Sequence, residues 1–224
     1  MEMVKLMRIR NVKNKEEILN ASSYLITEPK QYFGKWNELF GNNNSIHVEI
    51  GTGKGNFIIN KALTNPDINF IGIEKFDSIL AKCLQKIPEG LENLKIVRMN
   101  ALEIEAVFNY EIDTIYLNFS DPWQKKRWHK RRLTSKIFLE KYDSLFANRK
   151  RIVQKTDNKD LFEDYYFLKG LWYLKYPQNN DYDTKDAEIA FEEYIKICSE
   201  DTSIAEYNLL NCRFNTIINK SQFP

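Results

Sequence analysis

The sequence predicts an α/β protein: a parallel sheet covered by helices on both faces, followed by a C-terminal segment of a different kind. Three observations predict it. Short apolar runs alternate with helical stretches from Ile46 to Gln154, in the order βαβαβαβαβ. The first run leads into a glycine turn, Gly51-Thr52-Gly53-Lys54-Gly55, which opens a helix. Polar residues close or follow successive runs: Glu49, Glu74, Asn100, Asp121 and Asp157. Parallel strands bring such ends to one edge, where open α/β sheets bind ligands.

Met1 to Asn20 is basic and weakly periodic, with Arg8 and Arg10 as phosphate contacts or plain solvated surface. Two aromatic-rich turns lie between Tyr24 and Gly41, and Trp36 to Phe40 reads as a short helix that Gly41 ends. Ile46 to Ile50 is the first strand of the alternation, and Asn56 to Leu63 its first helix. The glycines between them allow a tight turn and let a ligand lie against backbone. The pattern is neither the dinucleotide G-x-G-x-x-G nor a P-loop, because Lys54 lies inside the run. Phe70 to Ile73 is the second strand, ended by Glu74. That acid follows the glycines by about 20 residues, where such folds place a carboxylate on ribose hydroxyls. Its bland alternative is an acid favoured at a helix start.

Phe76 to Lys86 is a helix and Leu94 to Met99 the third strand; Asn100 then either touches an adenine ring or simply opens a turn. Leu102 to Phe108 is a short helix. Ile115 to Phe119 is the fourth strand, stopped at Asp121-Pro122 because proline cannot continue a central ladder. Leu133 to Phe146 is a helix, and Arg151 to Gln154 the fifth strand, with Lys155-Thr156-Asp157-Asn158 at its tip.

The stretch after the fourth strand carries the chemistry. Asp121 is followed by Lys125, Lys126, Arg127, Lys130, Arg131 and Arg132, with Trp128 among them. An acid at a strand tip beside a cationic, aromatic run suggests chemistry on a polyanion. The competing reading is a solvated charge run after an ordinary turn.

At 224 residues the chain is one large domain, or one domain with a small appendage. From Asp160 onward it has 12 acidic and 6 basic residues, net −6; before that point 27 basic and 19 acidic residues give net +8. A basic body points weakly to nucleic acid. No apolar run reaches the roughly 18 residues of a membrane span, and Met1 to Arg10 lacks a signal-peptide core. Cys83, Cys198 and Cys212 are odd in number and scattered. They argue for a reducing cytoplasm, and against a disulfide framework or a metal site.

Taken together, Val-Glu-Ile-Gly-Thr-Gly-Lys-Gly, Ile-Gly-Ile-Glu, Tyr-Leu-Asn-Phe-Ser-Asp-Pro-Trp, Lys-Lys-Arg, Lys-Arg-Arg-Leu-Thr and Lys-Thr-Asp-Asn, in this order, resemble the bacterial single-chain tRNA (guanine-N7)-methyltransferases. Arg8-Ile-Arg10, Lys35 to Gly41 and Asn65 to Asn69 fit as well. The resemblance covers about Met7 to Asn158. It implies a Rossmann-like, S-adenosylmethionine-dependent domain over residues 1–159, with a methyl group moved to N7 of guanosine 46 in the tRNA variable loop. By the same resemblance Glu49, Gly51, Gly53, Glu74, Asn100 and Asp121 line the cofactor site, and Asp121 is catalytic. Lys125 and Asp157 contact the substrate. Lys126, Arg127, Lys130, Arg131 and Arg132 lie against tRNA.

The chain departs from the pattern at Gln124, where the family usually has proline, at Trp128-His129, and at Asn100 in place of aspartate. Past Asn158 the family's Thr-Glu-Tyr-Glu motif is missing. Residues 160–224 read instead as helices, Tyr165 to Tyr176, Asp186 to Cys198 and Ser203 to Phe214. Gly170, Ala187, Ala190 and Phe191 are spaced as in a tetratricopeptide-type hairpin. A diverged sheet end is the alternative. The expected protein is a cytoplasmic, non-membrane monomer or weak homodimer, with a possible protein partner on its C-terminal helices. Two rival functions stay open: an RNA-binding or interaction protein with impaired catalysis, and an amino methyltransferase acting on DNA or protein.

Overall fold

The computed structural model describes residues 12–158 and, beyond them, 161, 189–192, 195 and 205. The chain divides into two compact units. One runs to Asn118 and takes in Lys141–Val153; the other is Phe119–Glu140 with the chain from Gln154 on.

The first unit holds a six-stranded sheet. Its strands are β1 (Leu25–Ile26), β2 (Ser45–Ile50), β3 (Ile68–Glu74), β4 (Leu94–Arg98), β5 (Ile112–Asn118) and β6 (Phe146–Lys155). Their order is β1-β4-β3-β2-β5-β6. The pairs β1–β4, β4–β3, β3–β2 and β2–β5 are all parallel. Parallel strands are buried on both faces and read as continuous apolar runs; Phe70, Ile71 and Ile73 of β3 are accordingly buried. Helices α1 (Lys15–Ala21), α3 (Asn56–Thr64) and α4 (Asp77–Leu84) bury Leu19, Ile58, Leu80 and Cys83 with Phe70, Leu94 and Ile96 of the sheet. Burial on this scale is the main favourable term of folding.

Helix α2 (Trp36–Phe40) ends at Gly41, whose φ of 69° makes it a left-handed cap. Trp36 is fully buried; its Nε1 donates to the Val107 carbonyl at 2.9 Å and its ring stacks on Phe108. The Glu111 carboxylate accepts from the backbone N–H groups of Gly34, Trp36 and Asn109. One acid therefore holds the α2 segment against the start of β5.

Four elements differ from expectation. The fourth strand, expected over Ile115 to Phe119, is β5 at Ile112–Asn118, and Phe119 lies outside it because its left-handed φ of 49° leaves the ladder. β1 is a two-residue edge strand, too short to carry a period. The helix expected to reach Phe146 is α5 (Lys136–Asp143), and Phe146 already belongs to β6. The polar run Asn148 to Arg151 had hidden the first half of that strand. The stretch after Asn100 is a 3-10 helix, Ala101–Ala106, rather than an α-helix.

In the second unit Lys126–Arg131 forms another 3-10 helix. Among the expected C-terminal helices, residues 189–192, 195 and 205 are helical, and Ala190, Phe191 and Ala205 are buried. Gly170, Ala187 and the rest of the hairpin lie outside the described residues. So does Arg8-Ile-Arg10.

Candidate functional site

In the first unit the polar residues at the strand ends gather on the carboxyl edge of the sheet. β2 and β3 run in register, with Glu49 opposite Gly72 and Ile50 opposite Ile73. The chain then turns back through the glycines. Gly51 and Thr52 donate backbone N–H bonds to the Ile73 carbonyl at 2.9 and 3.0 Å. Gly51, Gly53 and Gly55 all have positive φ, at 79°, 58° and 77°. A Cβ placed on Gly51 would meet nothing within 4 Å, so the turn presents open backbone. Such a turn lets a ligand approach its backbone closely, while the N–H groups of Gly51, Thr52, Gly53 and Gly55 are spent within the fold.

Glu74 ends β3 and is buried. One carboxylate oxygen accepts from Gly53 N at 3.2 Å; the other accepts from Lys75 N and Phe76 N at 2.8 and 3.1 Å. The acid and the glycine turn, separated by 21 residues, are thus one feature. Asn100 is exposed and its side chain accepts from Leu102 N at 3.1 Å, capping the following turn. That is the turn-opening role the sequence offered as the bland alternative.

Glu49 is 2% exposed. Thr52 Oγ1 donates to one oxygen at 2.6 Å and Asn118 Nδ2 to the other at 2.8 Å. Burial raises its carboxyl to about 7, against the opposing pull of those two hydrogen bonds. Two apolar side chains stand out on the same edge: Phe76 and Leu102, each 51% exposed, just past the ends of the neighbouring strands β3 and β4. Thr52, Asn118, Phe76 and Leu102 escape sequence reasoning. The place of Phe76, directly after the strand-ending acid and at the head of a helical run, was the one signal the sequence held.

In the second unit Asp121 is exposed, three residues beyond β5, between two aromatic residues with left-handed backbone, Phe119 (φ 49°) and Trp123 (φ 44°). Lys125, Lys126, Arg127, Lys130 and Arg131 are exposed. Trp123 and Trp128 meet edge to face with centroids 6.0 Å apart. Lys125, Arg127 and Arg131 lie 5.0, 5.1 and 5.8 Å from the Trp128 ring, and Arg131 lies 5.1 Å from Trp123. Cations held over indole faces in this way are pre-ordered.

Arg132 corrects the sequence reading. It is 2% exposed, not part of the outer ribbon. Its Nε donates to the Pro122 carbonyl at 2.6 Å, and its guanidinium lies 3.0 Å from His129 Nε2. It braces the Asp-Pro turn from inside. Asp157 is exposed in the loop after β6. Next to it, Thr156 Oγ1 accepts from Asn158 N, and the Asn158 side chain accepts from Leu161 N at 2.9 Å.

Among the described residues no group of His, Cys, Asp or Glu is arranged to hold a metal ion. No helix among them is long and apolar enough to cross a membrane.

Residues 43–203 match the family described as "Putative methyltransferase". A tRNA (guanine-N(7)-)-methyltransferase of Lachnoclostridium phytofermentans is 48% identical over 159 residues, 70% of this chain and 74% of that one. The enzyme of the same name from Bacillus licheniformis is 48% identical over 160 residues, covering 70% of this chain and 75% of its own. That of a Geobacillus species is 49% identical over 160 residues, covering 70% and 73%.

Proposed function

We propose the function from one premise: this chain belongs to the family of tRNA (guanine-N7)-methyltransferases. It is an S-adenosylmethionine-dependent enzyme that methylates N7 of guanosine in tRNA. We assign guanosine 46 of the variable loop as the target. The observation that carries the reading is the Glu74 carboxylate joined to an open glycine turn on the carboxyl edge of a parallel sheet.

The donor set fits the cofactor. The Glu74 oxygen that takes only the Gly53 N–H keeps a lone pair for a ribose hydroxyl, and the carboxylate would repel a 2′-phosphate. Gly51 and Gly53 leave room for the methionine portion, and Phe76 and Leu102 offer apolar faces to an adenine. Glu49 puts a buried carboxyl beneath the glycine turn, where a cationic ligand would draw off its proton. When bound, S-adenosylmethionine supplies a methyl group on a sulfonium.

Guanine N7 has a lone pair and no proton to lose, so no strong base is required. Asp121 holds the base edge and favours the positive charge that forms on it. Lys125 and Asp157 orient the substrate, and alignment supplies much of the rate. Lys126, Arg127, Lys130 and Arg131 neutralise tRNA phosphates. Arg132 acts from inside, bracing the Pro122 carbonyl. We take residues 1–159 as the methyltransferase domain. We also take the chain as a monomer or weak homodimer, with a protein partner for the C-terminal segment 160–224; sedimentation of the full chain tests this.

The deciding experiment is mass-spectrometric detection of 7-methylguanosine in an unmodified tRNA transcript incubated with the chain and S-adenosylmethionine. The modified nucleoside should appear at position 46. Cofactor binding without any 7-methylguanosine would instead favour an RNA-binding protein on a methyltransferase scaffold.

A further inference from the structure

We propose that Phe119 is the face on which the target guanine stacks, and that its ring stabilises the positive charge that methylation places on that purine. The inference rests on the activity proposed above.

Phe119 is held where an apolar side chain gains least. Its ring is 57% exposed. Its φ of 49° is a left-handed conformation that bulky residues avoid. The conformation is fixed, because the Phe119 N–H donates to the Lys155 carbonyl at 2.7 Å. The turn it opens is also pinned further on, where Arg132 Nε reaches the Pro122 carbonyl. Strain that presents a residue to solvent gathers at ligand clamps. Asp121 follows two residues later in the same turn. The bond to Lys155 ties this turn to the segment that carries Asp157.

The ring face already serves a cation. Lys155 Nζ lies over it, 5.4 Å from the centroid. An aromatic face attracts positive charge through its quadrupole, and every base has a face that stacks on it. Guanine enters neutral. Its N7 lone pair becomes the new N–C bond, while the pair of the broken C–S bond stays with sulfur. The purine thereby takes on a unit positive charge, and no proton leaves. A flexible lysine can withdraw from the ring as the base arrives, and the cation that forms there replaces it. The stacking interaction is then stronger in the transition state than in the ground state, the condition for raising the rate rather than only the affinity.

The test uses the full chain and two variants, Phe119→Leu and Phe119→Trp, with two readouts. The first is the single-turnover rate of 7-methylguanosine formation at saturating tRNA and S-adenosylmethionine. Phe119→Leu should lower it about tenfold or more, while Phe119→Trp stays near wild type. The second is binding of 7-methylguanosine 5′-monophosphate against guanosine 5′-monophosphate. Wild type and Phe119→Trp should prefer the methylated nucleotide, and Phe119→Leu should not. A leucine variant with wild-type rate or wild-type preference overturns the inference, as does a wild-type chain with no preference. If the leucine variant folds poorly, loss of both rate and preference in a folded Phe119→Trp also overturns it. A wild-type chain that prefers the methylated nucleotide yet forms no 7-methylguanosine sinks the proposed activity while leaving the stacking face standing.

Discussion

Glu49 and His47 sit two residues apart on β2 and carry opposite protonation costs. Burial raises the Glu49 carboxyl from 4.5 to about 7. The folded chain therefore keeps that proton longer than the unfolded chain, so the penalty of a buried charge is absent below the unfolded value and complete above about 7. His47 is lowered from 6.5 to about 4 by burial first, with Asp113 opposing and Arg151 and Lys61 assisting. Its ring nitrogen lies 3.2 Å from the Tyr116 hydroxyl. That histidine must charge on unfolding, so its contribution is lost as pH falls from 6.5 towards 4. The two slopes oppose each other across the weakly acidic range, and Glu49 alone acts just below neutrality. Replacing Glu49 with Gln should raise the melting temperature more at about pH 8 than at about pH 5. A pH-independent difference would show that the buried charge is not the cause. Asp121, by contrast, is exposed, and its removal should cost chemistry rather than folding. Asp121→Ala should abolish methyl transfer and leave tRNA binding nearly unchanged, as read by nucleoside mass spectrometry and filter binding. The acids were legible in the sequence because Glu74 closes an apolar run, Asp121 follows one, and Glu49 sits one residue before the end of its own. Their partners were not: Asn118 reaches Glu49 across 69 residues. Arg132 was misread because a charge run looks uniformly solvated until one member is seen turned inward.

At the level of elements, Gly55 shows how closely α3 and α4 approach. It has a φ of 77°, and a Cβ there would collide with Cys83 Sγ and lie 3.0 Å from Ile59 Cδ1. Gly55→Ala combines a left-handed penalty of about 1–2 kcal/mol with overpacking of about 1–3 kcal/mol. A destabilisation of about 2–5 kcal/mol should follow, visible as a lower denaturant midpoint with an unchanged slope. A neutral alanine would mean that α4 moves aside at little cost. The strands β2 to β4 and the centre of β5 were readable because each is rich in apolar residues between polar or glycine breaks, whereas Asp113 and Thr114 hid the start of β5. β1 was not, since two residues cannot display alternation. The start of β6 was not either, since Asn148 to Arg151 is polar and pairing, not pattern, makes it a strand.

Over the whole molecule, charge is divided along the sequence, with a basic excess before Asp160 and an acidic excess from it onward. Neutralising Lys125, Lys126 and Arg131 together should weaken tRNA binding and flatten its dependence on salt, since each lost phosphate contact removes roughly one unit of slope. An unchanged slope would return those residues to ordinary solvated surface. The parallel α/β class was legible from alternation alone. The discontinuous division of the chain was not, because it depends on which segments return to the sheet.

That return has a consequence for the order of manufacture. β6 occupies the place beside β5, yet it is encoded after the whole Phe119–Glu140 excursion. During vectorial synthesis the earlier strands emerge with the hydrogen-bonding groups of β5 bare on that side, an edge of the kind that recruits other strands. The nascent sheet stays open until the ribosome has delivered residue 153, so a pause or stop codon inside the excursion would release a product prone to self-association.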